Sequence, residues 1–437
     1  MVIAMEGGNS TIEFAFDIAC PFAYLASLQV EQVAYRCGAS IVWTPVLLGG
    51  LYELSNAPQG KSGSATDSMP LAKQKIVAQD LQIQVKHVGA AFFKNTRHPL
   101  RSVAALRLIL TAQKVDRPSI THVLFRAYWV QNLDISNNAV LERVAHLFGI
   151  SLVSINCEEL KRQLHENTVR LASMGAFGVP CFIVNDQLFW GQDRLLLVEK
   201  VLSSNALPRR LLRQPIFTEP HTLVFYHDFS SPWSFFASLQ VAAIAKEANA
   251  KLVYKPFLLG ALFRAIETPN VPLLTLTGSR AAYARKDMED WSDYHNAHLK
   301  FPTIFPIRSV MALRVAIHDG RVMEAIYNAA WVEDKDISNE AVLYQILTGA
   351  GFDADMLLQK AKEQETKQRL RDLTSEVLNL GACGAPMFLV LDSDGKRVAI
   401  LWGQDRLNVV ADMLCGWRPH GEALKRMNEE RQPIAKL

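Results

Sequence analysis

The stretch "FDIACPFAYLASLQV", Phe16 to Val30, returns later in the same chain as "HDFSSPWSFFASLQV", His227 to Val241. In each copy a β-rich run, "STIEFAFDI" or "HTLVFYHDF", leads into a proline at the first helical position. Apolar residues then recur at helical spacing through Leu25 to Tyr35 and Phe236 to Ala245. Each copy therefore reads as a strand, a tight turn and a helix. The two differ where chemistry differs, with Cys20 against Ser231 and Ala23 against Ser234.

The repetition extends through the chain. "DISN" followed by "AVL" recurs from Asp134 and Asp336, and "WGQDRL" recurs from Trp190 and Trp402, in the same order. A period of about 200 residues is far beyond that of a solenoid repeat, so each copy is a whole domain. Second strands, "SIVWTPVLLGG" and "KLVYKPFLLGA", end in what reads as a glycine turn. Long helical sections follow, over residues 70–173 and 279–379. Then "GVPCFIVNDQLFWGQDRLLLVEKVL" and "GAPMFLVLDSDGKRVAILWGQDRLNVVADML" each read as strand, hairpin, strand, helix. The plan is α/β, two tandem domains of β-α-β, a helical insertion and β-β-α. They span residues 9–206 and 222–418, with a proline- and arginine-rich linker at 207–221 and a tail at 419–437.

Composition narrows the function classes. The chain has 437 residues, 49% hydrophobic and 20% charged, as packed domains do. Its 46 basic and 43 acidic residues leave a net charge of +3, with no basic, aromatic-interleaved run that would suit nucleic acid. No apolar window reaches membrane-span length, and the opening "MVIAMEGGNS" lacks the pattern of a signal peptide, which predicts a soluble protein with no membrane partner. The six cysteines, Cys20, Cys37, Cys157, Cys181, Cys383 and Cys415, form no C-x-x-C and no zinc-like spacing. That predicts reduced thiols in an intracellular compartment and no metal. The final Ala435, Lys436 and Leu437 resemble a peroxisomal address; without it the chain reads as cytoplasmic.

The order of elements, with Cys or Ser before Pro after the first strand and G-x-P before the third, resembles a thioredoxin-type fold of the DsbA kind. Within it, "DFSSPWSFFA", "GAP" and "WGQDRL" together resemble the 2-hydroxychromene-2-carboxylate isomerases and kappa-class glutathione transferases. The resemblance implies glutathione, or a related low-molecular-weight thiol, as cofactor and a small electrophilic, aromatic substrate. It implies that Ser231 donates a hydrogen bond to the glutathione sulfur and holds it as thiolate at a helix start, where unpaired N–H groups favour negative charge. A plain N-cap serine is the simpler alternative.

Cys20 stands in the same place, so the same electrostatics predict an acidified, reactive thiol. Ala23 removes a local dithiol, which leaves monothiol disulfide chemistry, non-enzymatic thiol binding or a small buried hydrophobe as alternatives, and a Cys20–Cys181 pair as a further one. The resemblance further implies cis bonds at Pro180 and Pro386, which offer the backbone of Val179 and Ala385 to the cysteinyl part of glutathione. Gln192, Asp193 and Arg194, and Gln404, Asp405 and Arg406, are implied to meet the γ-glutamyl end. Asn56 is implied as a contact, with Glu267 in its place in the second copy, and Lys73 and Arg280 are implied to stand near a glutathione carboxylate. Trp233 and Phe235 are candidates for stacking an aromatic substrate, with core packing as the alternative. Two fused copies of a fold that often dimerises also predict an internal pseudo-dimer.

Overall fold

The computed structural model describes residues 10–60, 63–203, 220–269 and 271–419. Most of the expected linker and the terminal Ala435, Lys436 and Leu437 lie outside the described residues. Strands β1 (Thr11–Phe16), β2 (Ser40–Pro45), β3 (Cys181–Val184) and β4 (Gln187–Trp190) form one sheet in the order β2-β1-β3-β4. Strand β1 runs parallel to β2 and antiparallel to β3, which pairs antiparallel with β4. Strands β5 (Thr222–His227), β6 (Lys251–Pro256), β7 (Met387–Leu391) and β8 (Arg397–Trp402) repeat this in the order β6-β5-β7-β8.

The central strands are flanked on both sides, and their continuous apolar runs follow from that burial. Phe14 and Phe16 of β1, and Leu223, Phe225 and His227 of β5, are fully buried. The first hairpin turns on Asn185 and Asp186, both at positive φ, the backbone a two-residue hairpin needs and Asn and Asp tolerate. The longer second loop is pinned by Asp392, whose carboxylate accepts the Asp394 and Lys396 N–H groups.

One expectation is corrected. The glycines after β2 and β6 do not end the strands in a turn; helices begin there, over Leu48–Leu54 and Leu259–Ala265. A buried carboxylate starts each, Asp17 Oδ2 accepting the Leu48 N–H and Asp228 Oδ2 the Leu259 N–H. Gly50 serves packing, because a Cβ there would stand 2.9 Å from Cγ2 of Thr168. The repeated "DISN" block is structural. Asp134 and Asp336 accept from Ser136 and Ser338, while Asn137 and Asn339 cap the helices that follow.

The chain divides into two compact units. One falls within Met1–Met69, Leu81–Arg209 and Thr277–Asp287, the other within Pro70–Asp80, Arg210–Leu276 and Met288–Leu437. Each unit thus takes in a short segment from the other repeat's range, which self-comparison of the sequence does not reveal. They are called here the Cys20 unit and the Ser231 unit.

Candidate functional site

In both units the site is built around the turn that follows the central strand. Asp17, buried to 1% exposure, accepts the Cys20 N–H on its backbone oxygen and the Ala19 N–H on Oδ1. Asp228, fully buried, accepts the Ser231 N–H on its backbone oxygen and Ser230 and Ser309 on Oδ1. Burial pushes both carboxyls up, and the hydrogen bonds they accept pull back. Sequence reasoning passed over these aspartates, although each stands three residues before the Cys or Ser. Trp129 and Trp331 clamp the same turns by donating from Nε1 to the carbonyls of Ile18 and Phe229.

Cys20 and Ser231 occupy the N-cap positions of the helices Pro21–Cys37 and Pro232–Glu247 in extended conformation. Ser231 Oγ accepts the Ser234 N–H at 3.2 Å and donates to the Ala385 carbonyl at 3.2 Å. Cys20 Sγ donates to the Val179 carbonyl at 3.2 Å and makes no cap. The two groups are therefore the same donor in sulfur and oxygen form, each directed to the residue before a cis proline. Both Val179–Pro180 and Ala385–Pro386 are cis, as are His98–Pro99 and Phe305–Pro306, which sequence reading did not flag.

The expectation of an acidified Cys20 is corrected. Burial pushes its thiol up to about 12, outweighing the Ala23 and Phe22 N–H groups that favour the anion. Cys181 is fully buried and donates to the Gly178 carbonyl, and all six cysteines are free thiols. Against an ordinary thiol near 8.5, Cys20 holds about three orders of magnitude less thiolate at neutral pH. Iodoacetamide is therefore expected to label the exposed Cys157 long before Cys20 in the folded chain. Labelling of both at one rate, followed by peptide mass spectrometry, would contradict this.

The "WGQDRL" block is stitched to the cis-proline loop by its glycine. The Gly191 N–H donates to the Pro180 carbonyl at 2.9 Å and the Gly403 N–H to the Pro386 carbonyl at 3.1 Å. Both glycines lie near φ of 100°, where a side chain is strained, and a Cβ would meet the Asp193 or Asp405 carboxylate at 2.6 Å. The glycine of G-x-P has its own reason. A Cβ on Gly178 or Gly384 would stand 3.0 or 2.8 Å from Nε1 of Trp190 or Trp402.

Each block opens a helix through one tight turn, Gln192–Arg194 or Gln404–Arg406. The arginines are already committed: Arg194 makes a two-point ion pair with Asp287, and Arg406 one with Asp80. Gln192 accepts from Gln29 at 2.9 Å. Gln404, 3% exposed, has neither amide atom hydrogen-bonded among the described residues.

Lys73 and Arg280 sit in the units opposite to their repeats. Lys73 Nζ lies 5.5 Å over Trp402 in the Ser231 unit, and the Arg280 guanidinium 5.5 Å over Phe177 in the Cys20 unit. Beside Arg280, Phe177 packs on Trp190 and Tyr283, and Tyr283 Oη accepts the Trp190 N–H at 2.7 Å. Asn56 and Glu267 both take positive φ after the short helix, a backbone that suits Asn far better than Glu. Asn56 is exposed. Trp233 is half-buried, but Phe235 does not reach a mouth. At 2% exposure it packs on Trp331 and Tyr327, because one helical turn beyond Ser231 points into the core.

No group of three or more His, Cys, Asp or Glu residues among the described residues is arranged to hold a metal, and no described helix is long and apolar enough to cross a membrane.

Residues 11–203 and 222–415 each match the DSBA-like thioredoxin domain. Glutathione S-transferase kappa 2 of Caenorhabditis elegans is 27% identical over 227 residues, covering 48% of this chain and 96% of the relative. A 2-hydroxychromene-2-carboxylate isomerase of Sphingobium xenophagum is 26% identical over 199 residues, covering 44% of this chain and 98% of the relative. A solved 2-hydroxychromene-2-carboxylate isomerase aligns at 20% identity and a TM-score of 0.39, over 44% of this chain and 95% of its own.

Proposed function

The chain belongs to the DSBA-like thioredoxin domain family in both repeats, and from that premise we propose that it uses glutathione to act on a small electrophile, with the Ser231 unit as the reacting site. The observation that carries the reading is the Ser231 hydroxyl, set at a helix start 3.2 Å from the Ala385 carbonyl. The same hydroxyl is within reach of the Ser234 N–H. A sulfur entering there meets a hydroxyl donor and the unpaired N–H groups of a helix, both of which favour thiolate over thiol.

The remaining residues fit a peptide-like thiol. Ser231 Oγ–H turns from the Ala385 carbonyl to the sulfur, freeing that carbonyl for a backbone N–H of the ligand. The buried Gln404 amide, with neither atom hydrogen-bonded among the described residues, offers its two N–H donors and its carbonyl acceptor to the polar end of such a ligand. Lys73 supplies positive charge beside Trp402 for a carboxylate. Arg406, held by Asp80, positions the turn and is not available to clamp the ligand itself. Kinship with named kappa-class transferases and 2-hydroxychromene-2-carboxylate isomerases supports either conjugation or glutathione-assisted isomerisation of an aromatic substrate.

The test is a pH titration of the ultraviolet thiolate absorbance of bound glutathione. Wild type is expected to lower the apparent pKa of the thiol, and Ser231→Ala to lose most of that shift, with conjugation of a chlorinated nitrobenzene slowed about 100-fold. If the wild-type protein leaves the glutathione pKa unchanged, the reading fails. Turnover of a hydroxychromene carboxylate against the nitrobenzene separates isomerase from transferase.

A further inference from the structure

The repeated glutamines are bonded differently in the two units. Gln29 of "ASLQV" and Gln192 of "WGQDRL" recur as Gln240 and Gln404. Helix Pro21–Cys37 packs on the Gln192–Arg194 turn, just as helix Pro232–Glu247 packs on the Gln404–Arg406 turn. In the Cys20 unit Gln29 Nε2 donates to the Leu25 carbonyl at 3.0 Å and to Gln192 Oε1 at 2.9 Å. The carbonyl of the buried Gln192 amide is thereby taken within its own unit. In the Ser231 unit Gln240 Nε2 instead stands 3.1 Å from His295 Nε2. An amide nitrogen only donates, so the imidazole accepts on Nε2 as the neutral ring with its proton on Nδ1. Gln404 is left buried, with neither amide atom hydrogen-bonded among the described residues.

The difference follows from one position. Helices Leu71–Val88 and Gly278–His295 are both 18 residues long, and they end in Val88 in the Cys20 unit and His295 in the Ser231 unit. A valine side chain has no acceptor for a glutamine amide, and Gln29 turns to Gln192. The His295 ring is held in place by stacking on Phe236 at 5.9 Å and on Trp291 at 5.7 Å, and it takes the Gln240 amide.

The geometry points to His295 as a positioning residue of the Ser231 unit: by holding Gln240 it keeps Gln404 open for the γ-glutamyl end of glutathione, whereas Gln29 closes the same position in the Cys20 unit. This rests on the glutathione reading of the previous section and adds what keeps the polar end of that site open. A buried amide without partners has lost its solvation, and a polar ligand group restores it. The amino and carboxylate groups of a γ-glutamyl residue supply both donors and acceptors. A ligand entering the Cys20 unit must first displace Gln29 from Gln192.

The experiment compares calorimetric binding of glutathione with that of cysteinylglycine, which lacks the γ-glutamyl residue, to the full chain. The ratio of the two affinities reads the γ-glutamyl position, and wild type is expected to favour glutathione. His295→Phe keeps a ring for Phe236 and Trp291 but removes the acceptor; His295→Val, the residue of the other unit, is measured beside it. In both, Gln240 is expected to turn to Gln404, and the ratio to fall about five- to tenfold, the worth of the hydrogen bond a ligand must then displace. Cysteinylglycine binding is expected to change less than about twofold. Adding Gln240→Leu is expected to bring the ratio back to within about twofold of wild type, which relief of a packing defect at His295 would not do.

An equal loss for both ligands, a ratio that His295→Phe and His295→Val leave unchanged, or a fall that Gln240→Leu does not relieve overturns the inference. So does wild type that binds the two ligands alike, a result that leaves the thiolate reading of Ser231 standing. Wild-type protein that binds no glutathione removes the reading and the inference together.

Discussion

Asp287→Ala is expected to destabilise the Cys20 unit by about 3 kcal/mol or more, among the largest single-residue effects in the chain. Asp287 is 5% exposed and Arg194 12%, and their two contacts are 2.9 and 2.7 Å long. An exposed pair of this kind contributes at most about 1 kcal/mol, but removing one partner from a buried one strands a charge in a site largely shielded from water. Asp193, 2.9 Å from Nη1, offsets only part of that. Asp80→Ala should cost a similar amount, because the Arg406 it strands is 11% exposed. Urea unfolding of each variant, with Arg194→Leu and the double Arg194→Leu/Asp287→Leu to close the cycle, measures the coupling. The double variant should recover much of the loss. A cost below about 1 kcal/mol for Asp287→Ala would mean the pair behaves as a surface contact, and the account of what holds the "WGQDRL" turn would fail.

The same pair shows what a single sequence can and cannot convey. The block "WGQDRL" was legible as a repeated helix start, and its glycine and aspartate were readable as turn chemistry. Its arginine, however, answers to an aspartate some 90 residues later in one unit, and to one over 300 residues earlier in the other. Self-comparison aligns Lys73 with Arg280 and Asp80 with Asp287, but it carries no information on which unit each segment packs in. The strands and the "GVP" and "GAP" loops were recoverable because their periodicity and turn residues are local. Asp17 and Asp228 were not, because a buried carboxylate that caps a distant helix leaves no periodic signal.

Cys20 illustrates a different gap. A helix start favours a thiolate, and the sequence shows the helix start, but the opposing effect is burial, which depends on side chains from across the chain. Phe235 was misplaced for a related reason. Its neighbours Trp331 and Tyr327 arrive from the helical insertion and turn its helix face into core.

Acid is expected to destabilise the Ser231 unit through His227. It lies at the end of β5 in the register position that Phe16 holds on β1, fully buried and stacked 5.1 Å from Phe225. Nδ1 is 3.2 Å from the Tyr327 hydroxyl, which donates to the Asp228 carbonyl, while Nε2 has no partner among the described residues. Burial lowers its pKa from 6.5 to about 3. A group whose folded pKa is depressed binds its proton first in the unfolded chain, so stability is present above about 6.5 and lost as pH falls towards 3. A shift of this size corresponds to a loss of about 4 to 5 kcal/mol over that window.

Asp228 cannot mimic the effect, since its raised carboxyl pKa gives stability that is lost as pH rises. Glu376, whose pKa is lowered, acts only below the carboxylate range of about 4.5. In the window between about 4.5 and 6.5, therefore, His227 lowers the stability of the Ser231 unit where neither of these carboxyls does. His98 of the other unit, also lowered by burial, leaves a residual slope in the whole chain. Replacing His227 by phenylalanine, with Tyr327→Phe to match the Phe16 and Phe125 pair of the first unit, should flatten the acid limb of the urea-unfolding profile. If His227→Phe and the double variant both keep the wild-type loss between pH 6.5 and 4.5, the acid sensitivity lies elsewhere, and the buried imidazole is not neutral in the folded unit.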